Sequence, residues 1–318
     1  MNWRIPSTFV MIGILWGSAW IMTPLLPMPL LLSGAARFAI AAVLLASGVI
    51  ILRAKGRLVP HPFPLGPSLV LGITLLGLPY ALAVWAKGSV SSGLVAVTYA
   101  VMPLEAFFFD RSESGTPTLI PAMAIGIGGI AFLAGQGISY SAAQTGGLLL
   151  LAAAVGLGAF SLVYAKRHLQ RGSLLLSSAI QCVIACILLV FLSGIGGWQR
   201  PTAWTHRSLL ALTALAAVEG AIALPFLFWL LSQIEAWQAA TLQWLAIVVA
   251  VAEAGWFLRA RPTLQMCAGA VVTVGAIFWL MRSGGGAAGG FENGSDTVTL
   301  QITRLIQRSP EASESNEE

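Results

Sequence analysis

Apolar residues fill this chain in ten long blocks, each ended by a short stretch holding proline, glycine or charge. The blocks are 5–26, 30–52, 65–85, 91–109, 119–134, 146–164, 174–192, 209–231, 239–257 and 264–280. A helix that crosses a bilayer needs about 20 such residues. Lipid offers backbone groups no hydrogen-bond partner, so a spanning segment must pair its own. Alternating segments of about ten residues, the mark of a membrane barrel, are absent from the pattern. The pattern therefore predicts an all-α integral membrane protein with ten transmembrane helices.

Composition agrees. Of 318 residues 57% are hydrophobic and 9% charged, with a mean hydropathy of +0.85. Soluble domains carry about 25% charged residues, and a chain this poor in charge could not coat a water-facing surface. The net charge of +5 comes from small clusters between blocks, which argues for membrane orientation and against nucleic acid as a partner. With the N-terminus inside, Arg4, Arg53, Lys55, Arg57, Arg111, Lys166, Arg167, Arg171 and Arg282 face the cytoplasm. Lys87, Arg200, Arg207, Arg259 and Arg261 face the other side. Both termini are thus expected in the cytoplasm, with the chain in the cell (inner, cytoplasmic) membrane. Cys182, Cys186 and Cys267 all lie inside apolar blocks, which is no disulfide framework. His61, His168 and His206 fall between blocks without metal-ligand spacing, and no cofactor is expected.

The blocks divide into two sets of five, and an odd number inverts the second set in the membrane. Weak matches keep a steady offset. Gly17-Ser18-Ala19 aligns with Gly158-Ala159-Phe160, Thr118-Leu119 with Thr263-Leu264, and Gly129 with Gly275. The expected organisation is two inverted five-helix repeats, 1–136 and 137–282, followed by a cytoplasmic flexible tail, 283–318. The tail opens on Ser283-Gly284-Gly285-Gly286 and ends acidic. Val298, Ile302, Leu305 and Ile306 could form one apolar face in it, though chance apolar residues in a polar tail explain them as well.

Ionisable residues inside spans are costly and usually face a cavity or a partner. Glu219 sits near the middle of the eighth block and is a candidate for taking up and releasing a proton. Arg37, a third of the way into the second, could hold a substrate carboxylate or pair with Glu219. Glu105 and Glu253 lie near block ends, shallow enough to reach water. Trp16 and Trp20, four apart, share a helical face. With Tyr80, Tyr99 and Trp244 they are the candidate walls of a central cavity. Gln243 beside Trp244 is a polar group at depth that needs a partner or a ligand. Against these stand plain readings: a carboxyl or guanidinium tying helices together, and tryptophans such as Trp85, Trp198, Trp204 and Trp256 placed at the interface. Gly13 and Gly17, and Gly126, Gly128 and Gly129, are candidate packing faces. Pro103 and Pro225 are candidate kinks.

Leu15-Trp16-Gly17-Ser18-Ala19-Trp20, Ala36-Arg37-Phe38 and Val101-Met102-Pro103-Leu104 give the chain a resemblance to the drug/metabolite transporter superfamily, specifically its EamA-type ten-helix exporters. The resemblance covers 5–281. It departs from the family where a Gly-Glu pair precedes the fifth and tenth helices: this chain has Asp110-Arg111 and Arg259-Ala260. It also has Gln243-Trp244 where the ninth helix carries a proline. The resemblance implies a secondary transporter, an exporter of small organic metabolites or amino-acid-like compounds working by alternating access, proton-coupled or exchange-driven. Its partners would be that substrate and membrane lipid. The sequence holds no phosphate-binding Gly-x-x-x-x-Gly-Lys-Ser/Thr loop for ATP. The competing classes are a membrane-embedded lipid-modifying enzyme, which would need a reactive cluster at one membrane face, and a non-transporting membrane partner or channel.

Overall fold

The computed structural model describes residues 3–26, 29–56, 65–110, 119–135, 138, 140–169, 173–195, 205–257 and 262–283. The tail face, His61, Arg57, Arg111, Thr118, Arg171, Trp198, Arg200, Trp204, Arg259 and Arg261 lie outside the described residues. Within them the chain is an all-α membrane protein. Its helices are α1 (Arg4–Met22), α2 (Leu30–Ala54), α3 (Leu65–Ala86), α4 (Ser92–Asp110), α5 (Leu119–Ala134), α6 (Thr145–His168), α7 (Leu174–Ile195), α8 (His206–Leu231), α9 (Ala236–Phe257) and α10 (Leu264–Ser283). Among the described residues nine are long and apolar enough to cross a membrane, and α5, with 16 residues, is the short one.

Helix ends run past the apolar blocks where caps hold them. α8 starts at His206 because Thr205 and Ser208 form a reciprocal capping box. α9 starts at Ala236 behind a second box, Glu235 with Gln238. Hydropathy marks the part of a helix buried in lipid, whereas caps set where its backbone stops needing outside partners.

Four irregularities shape the interior. In α3 the turn Gly72–Gly77 widens into a π-helix just before Leu78-Pro79. In α8 the turn Ala216–Ala223 does the same before Leu224-Pro225. A proline ring clashes with the carbonyl four residues back and offers no N–H, and a wider turn relieves both faults. α4 and α9 are broken instead. At Val101 the chain makes Val101 N–H to Thr98 O and Leu104 N–H to Val101 O; at Thr241 it makes Thr241 N–H to Gln238 O and Trp244 N–H to Thr241 O. Pro103 follows the first break. Gln243 stands at the matching place after the second, so a proline is not what breaks α9.

The packing is reciprocal between α1–α5 and α6–α10. α2 packs on α7, α5 on α10 and α4 on α9; α1 packs on α9 as α6 packs on α4; α3 packs on α7 as α8 packs on α2. Small residues make the close approaches. A Cβ on Gly17 would lie 2.6 Å from Val249 Cγ1 and 3.0 Å from Ala246 O, and one on Gly13 would lie 2.4 Å from Leu245 Cδ2, so the predicted glycine face of α1 is its seam with α9. Gly129 and Gly269 do the same between α5 and α10. Gly128 meets nothing within 4 Å, so it does not belong to the packing face on which the sequence placed it.

Candidate functional site

A cavity of about 760 Å³ lies between the two sets of helices. Its walls are α1, α2, α3, α4, α6, α8 and α9, and its mouth lies beside Thr23, Pro24 and the turn of Lys87, Gly88 and Val90. Trp16, Trp20, Arg37, Tyr80, Tyr99, Glu219 and Gln243 all line it.

Arg37 and Glu219 meet across the wall, Nη1 donating to Oε2 at 2.5 Å, with side chains 11% and 18% exposed. The contact joins one nitrogen to one oxygen, so the fork of the guanidinium is only partly used. Its Nε is buried without a partner among the described residues. The guanidinium carbon sits 4.8 Å from the Phe38 ring centre and 5.0 Å from that of Tyr80, a setting in which ring faces favour a cation. Phe38 and Tyr80 meet edge to face at 6.0 Å, and the Tyr80 hydroxyl donates to Leu30 O at 3.1 Å. Gly34 makes room for that ring: a Cβ there would stand 2.2 Å from Tyr80 Cε1. Glu219 belongs to the π-turn of α8, whose Gly220 lets α2 come close at Ala41.

Nearer the mouth, Trp20 and Tyr99 make an edge-to-face pair at 6.2 Å and 88°. Trp20 is 45% exposed. The Gln243 amide has no hydrogen-bond partner among the described residues. The cavity wall thus carries an unpaired amide among the described residues.

Trp244 is a correction. It does not line the cavity: it is fully buried, and its indole Nε1 donates to Ala100 O at 2.8 Å. The break at Val101 turns Leu104 N–H toward Val101 O, and the indole takes up the Ala100 carbonyl. The ring fills a notch at Gly126, where a Cβ would stand 2.1 Å away. Successive residues on a helix point about 100° apart; here Gln243 faces the cavity and Trp244 turns toward Gly126.

The two shallow carboxyls differ. Glu253 accepts a hydrogen bond from Ser18 Oγ at 2.7 Å, joining α9 to α1. Glu105 turns toward α6: its Oε2 is buried without a partner among the described residues, 3.9 Å from where a Gly156 Cβ would stand. The expectation that placement near a helix end gives it to water fails for that oxygen.

The end opposite the mouth is closed. Leu227, Leu230, Leu231, Trp237, Ala239 and Ala240 are buried there. Two ion pairs from successive residues of α6 bind the neighbouring helix ends. Lys166 Nζ pairs with Glu235 at the start of α9, and Arg167 Nη2 pairs with Asp110 at the end of α4, 3.1 Å from Oδ1 and 2.6 Å from the carbonyl. The sequence used these residues for orientation alone; their partners lie 57 and 69 residues away, which no local pattern reports.

An all-helical membrane fold that encloses a cavity open at one end and holds an intramembrane ion pair in its wall is the architecture of a polytopic membrane protein. Residues 144–282 match the model of the EamA-like transporter family, part of the drug/metabolite transporter superfamily. A solved crystal structure superposes with a TM-score of 0.72 at 18% sequence identity, covering 96% of this chain and 99% of its own; that likeness carries the fold alone. No curated protein matches the chain in sequence.

Proposed function

We propose that this protein is a secondary transporter that exports small organic metabolites, amino-acid-like compounds among them, across the cytoplasmic membrane by alternating access. The observation that carries this reading is the Arg37–Glu219 pair in the wall of a cavity with one open and one closed end. Apolar and aromatic walls with few polar anchors suit an amphipathic organic molecule. Arg37 offers unused donors to a substrate carboxylate, and Glu219 offers its second oxygen to an amine or to a coupling proton. The reciprocal packing supports two inverted five-helix repeats, 1–136 and 137–282, whose exchange of conformation would move the opening from one face to the other. The basic-residue bias supports an orientation with both termini and the closed end in the cytoplasm and the mouth outside.

The test is Glu219→Gln in proteoliposomes loaded with radiolabelled candidate metabolites, with and without a pH gradient. If Glu219 carries the coupling proton, gradient-driven transport falls at least about tenfold, a loss of about 1.4 kcal/mol or more in the driving interaction, while substrate exchange persists. A merely structural Glu219 predicts that both activities and the melting temperature fall together. Unchanged gradient-driven transport removes the residue from the mechanism.

A further inference from the structure

We propose that a second pocket, between the ends of α4 and α6, is a phospholipid site that selects an anionic headgroup. The pocket holds about 400 Å³ and lies where both helices finish, at Asp110 and His168. That level belongs to the headgroups of the leaflet on the closed side. Phe108, Phe109 and Phe160 are 62%, 45% and 40% exposed there. On the flank of a membrane helix such rings border acyl chains, so the bilayer itself supplies the occupant.

The inner wall is an aromatic ladder. Phe109 meets Phe160 edge to face at 6.5 Å, Phe160 meets Tyr164 at 5.8 Å, and Tyr164 stacks on His168 at 4.2 Å. The last three are spaced four apart and so share one face of α6. Aromatic rings at this depth suit the boundary between chain and headgroup.

The polar end of the pocket is cationic. Arg167 is 52% exposed and spends only Nη2 on Asp110, which leaves Nε and Nη1 without a partner among the described residues. That open edge of the guanidinium matches two oxygens of a phosphate. His168 Nδ1 donates to Tyr164 O at 3.0 Å, which leaves Nε2 unused beside it. Lys166, held by Glu235, adds to the local positive charge. A zwitterionic headgroup would bring its own ammonium toward Arg167, whereas an anionic one would not. Basic pockets between helices at this level are suited to anionic headgroups.

The experiment is native mass spectrometry of the purified full chain titrated with phosphatidylglycerol or with phosphatidylcholine of the same acyl composition. The expected result is retention of phosphatidylglycerol at several-fold lower concentration. Arg167→Gln should reduce that preference about fivefold, the effect of about one basic residue at a membrane surface. Asp110→Asn, which releases the guanidinium from its partner, should raise the preference, so a variant that merely damages the fold cannot mimic both results. Phe160→Trp, which fills the pocket, should lower retention of both lipids. Equal retention of the two lipids by the unaltered chain overturns the proposal, as does a preference untouched by Arg167→Gln or lowered by Asp110→Asn. Displacement of bound phosphatidylglycerol by millimolar inorganic phosphate alone would assign the pocket to soluble anions and overturn it too.

Discussion

The two ends of the molecule differ in how tightly their helices pack, although the helices pack in corresponding pairs. At the closed end α6 packs on the last turns of α8 and on the first turn of α9. At the mouth the matching contacts would join α1 to α3 and α4, and among the described residues no comparable packing joins them. A ring contact, Trp20 on Tyr99, reaches from α1 to α4 there. The cavity is the space that those missing contacts leave. The same packing, made at one end and unmade at the other, gives a closed floor and an open mouth.

The largest effect should come from the glycines that set the pose of α1 and α6. A Cβ on Gly17 would stand 2.7 Å from Val249 Cβ and 3.0 Å from a backbone carbonyl, neither of which can swing away. Gly17→Ala should cost about 1–3 kcal/mol, the usual penalty for overpacking, and lower the melting temperature in detergent. Its counterpart Gly158 meets Met102 Cε at 2.5 Å, the far end of a flexible side chain. Gly158→Ala should leave stability within about 0.5 kcal/mol, since Met102 can turn aside and alanine favours the helix. Equal losses for the two would mean that α1 and α6 are seated alike, and the comparison would fail at its mechanical base.

Much of this was legible in the residue pattern, and the reason is that lipid makes simple demands. Each apolar block became a helix because an unpaired backbone is intolerable in a bilayer. Arg37 and Glu219 found each other because a charge at depth has few other choices. The Gly13/Gly17 face could be read because small residues four apart have one obvious use. What could not be read was whatever depends on a rotation of about 100° or on a distant partner. Trp244 was grouped with Trp16 and Trp20 by depth, yet it turns the other way to fill the notch at Gly126. The break at Thr241 has no proline to announce it, and the π-turns lie a few residues before the prolines that explain them. The partners of Lys166 and Arg167 depended on how the helices are arranged.

A middle-sized effect should come from the closed end itself. Lys166 and Glu235 are each about four-fifths buried, and their pairing ties α6 to the cap of α9. Lys166→Met should weaken that closure by about 1 kcal/mol, a discounted value for a pair that still touches water, and so raise the population open on that side about fivefold. Leu231→Cys, at a buried position of that end and in a chain otherwise free of cysteine, would report the change as faster labelling by a soluble thiol reagent. The exchanged pair, Lys166→Glu with Glu235→Lys, should restore slow labelling. A labelling rate indifferent to Lys166→Met would show that packing of Leu230, Leu231 and Trp237 closes this end without help from charge.

The smallest effect on stability should come from Gln243, which makes it the cleanest probe of the cavity. Its amide makes no bond to the described part of the protein, so Gln243→Leu leaves no buried group orphaned, and such changes usually stay within about 0.5 kcal/mol. The melting temperature should hardly move. Substrate recognition should move, because a polar anchor on an apolar wall has been replaced by more apolar wall: a site built to bond a polar group discriminates strongly once that bond is lost. The expected outcome is a raised half-saturation concentration for transport with a folded, unshifted protein. A variant that melts earlier would show that the amide does hold the scaffold, as its neighbour Trp244 does through Ala100 O. A variant with unaltered transport would show that the substrate stays nearer the Arg37–Glu219 wall and that the α9 side of the cavity only bounds the space.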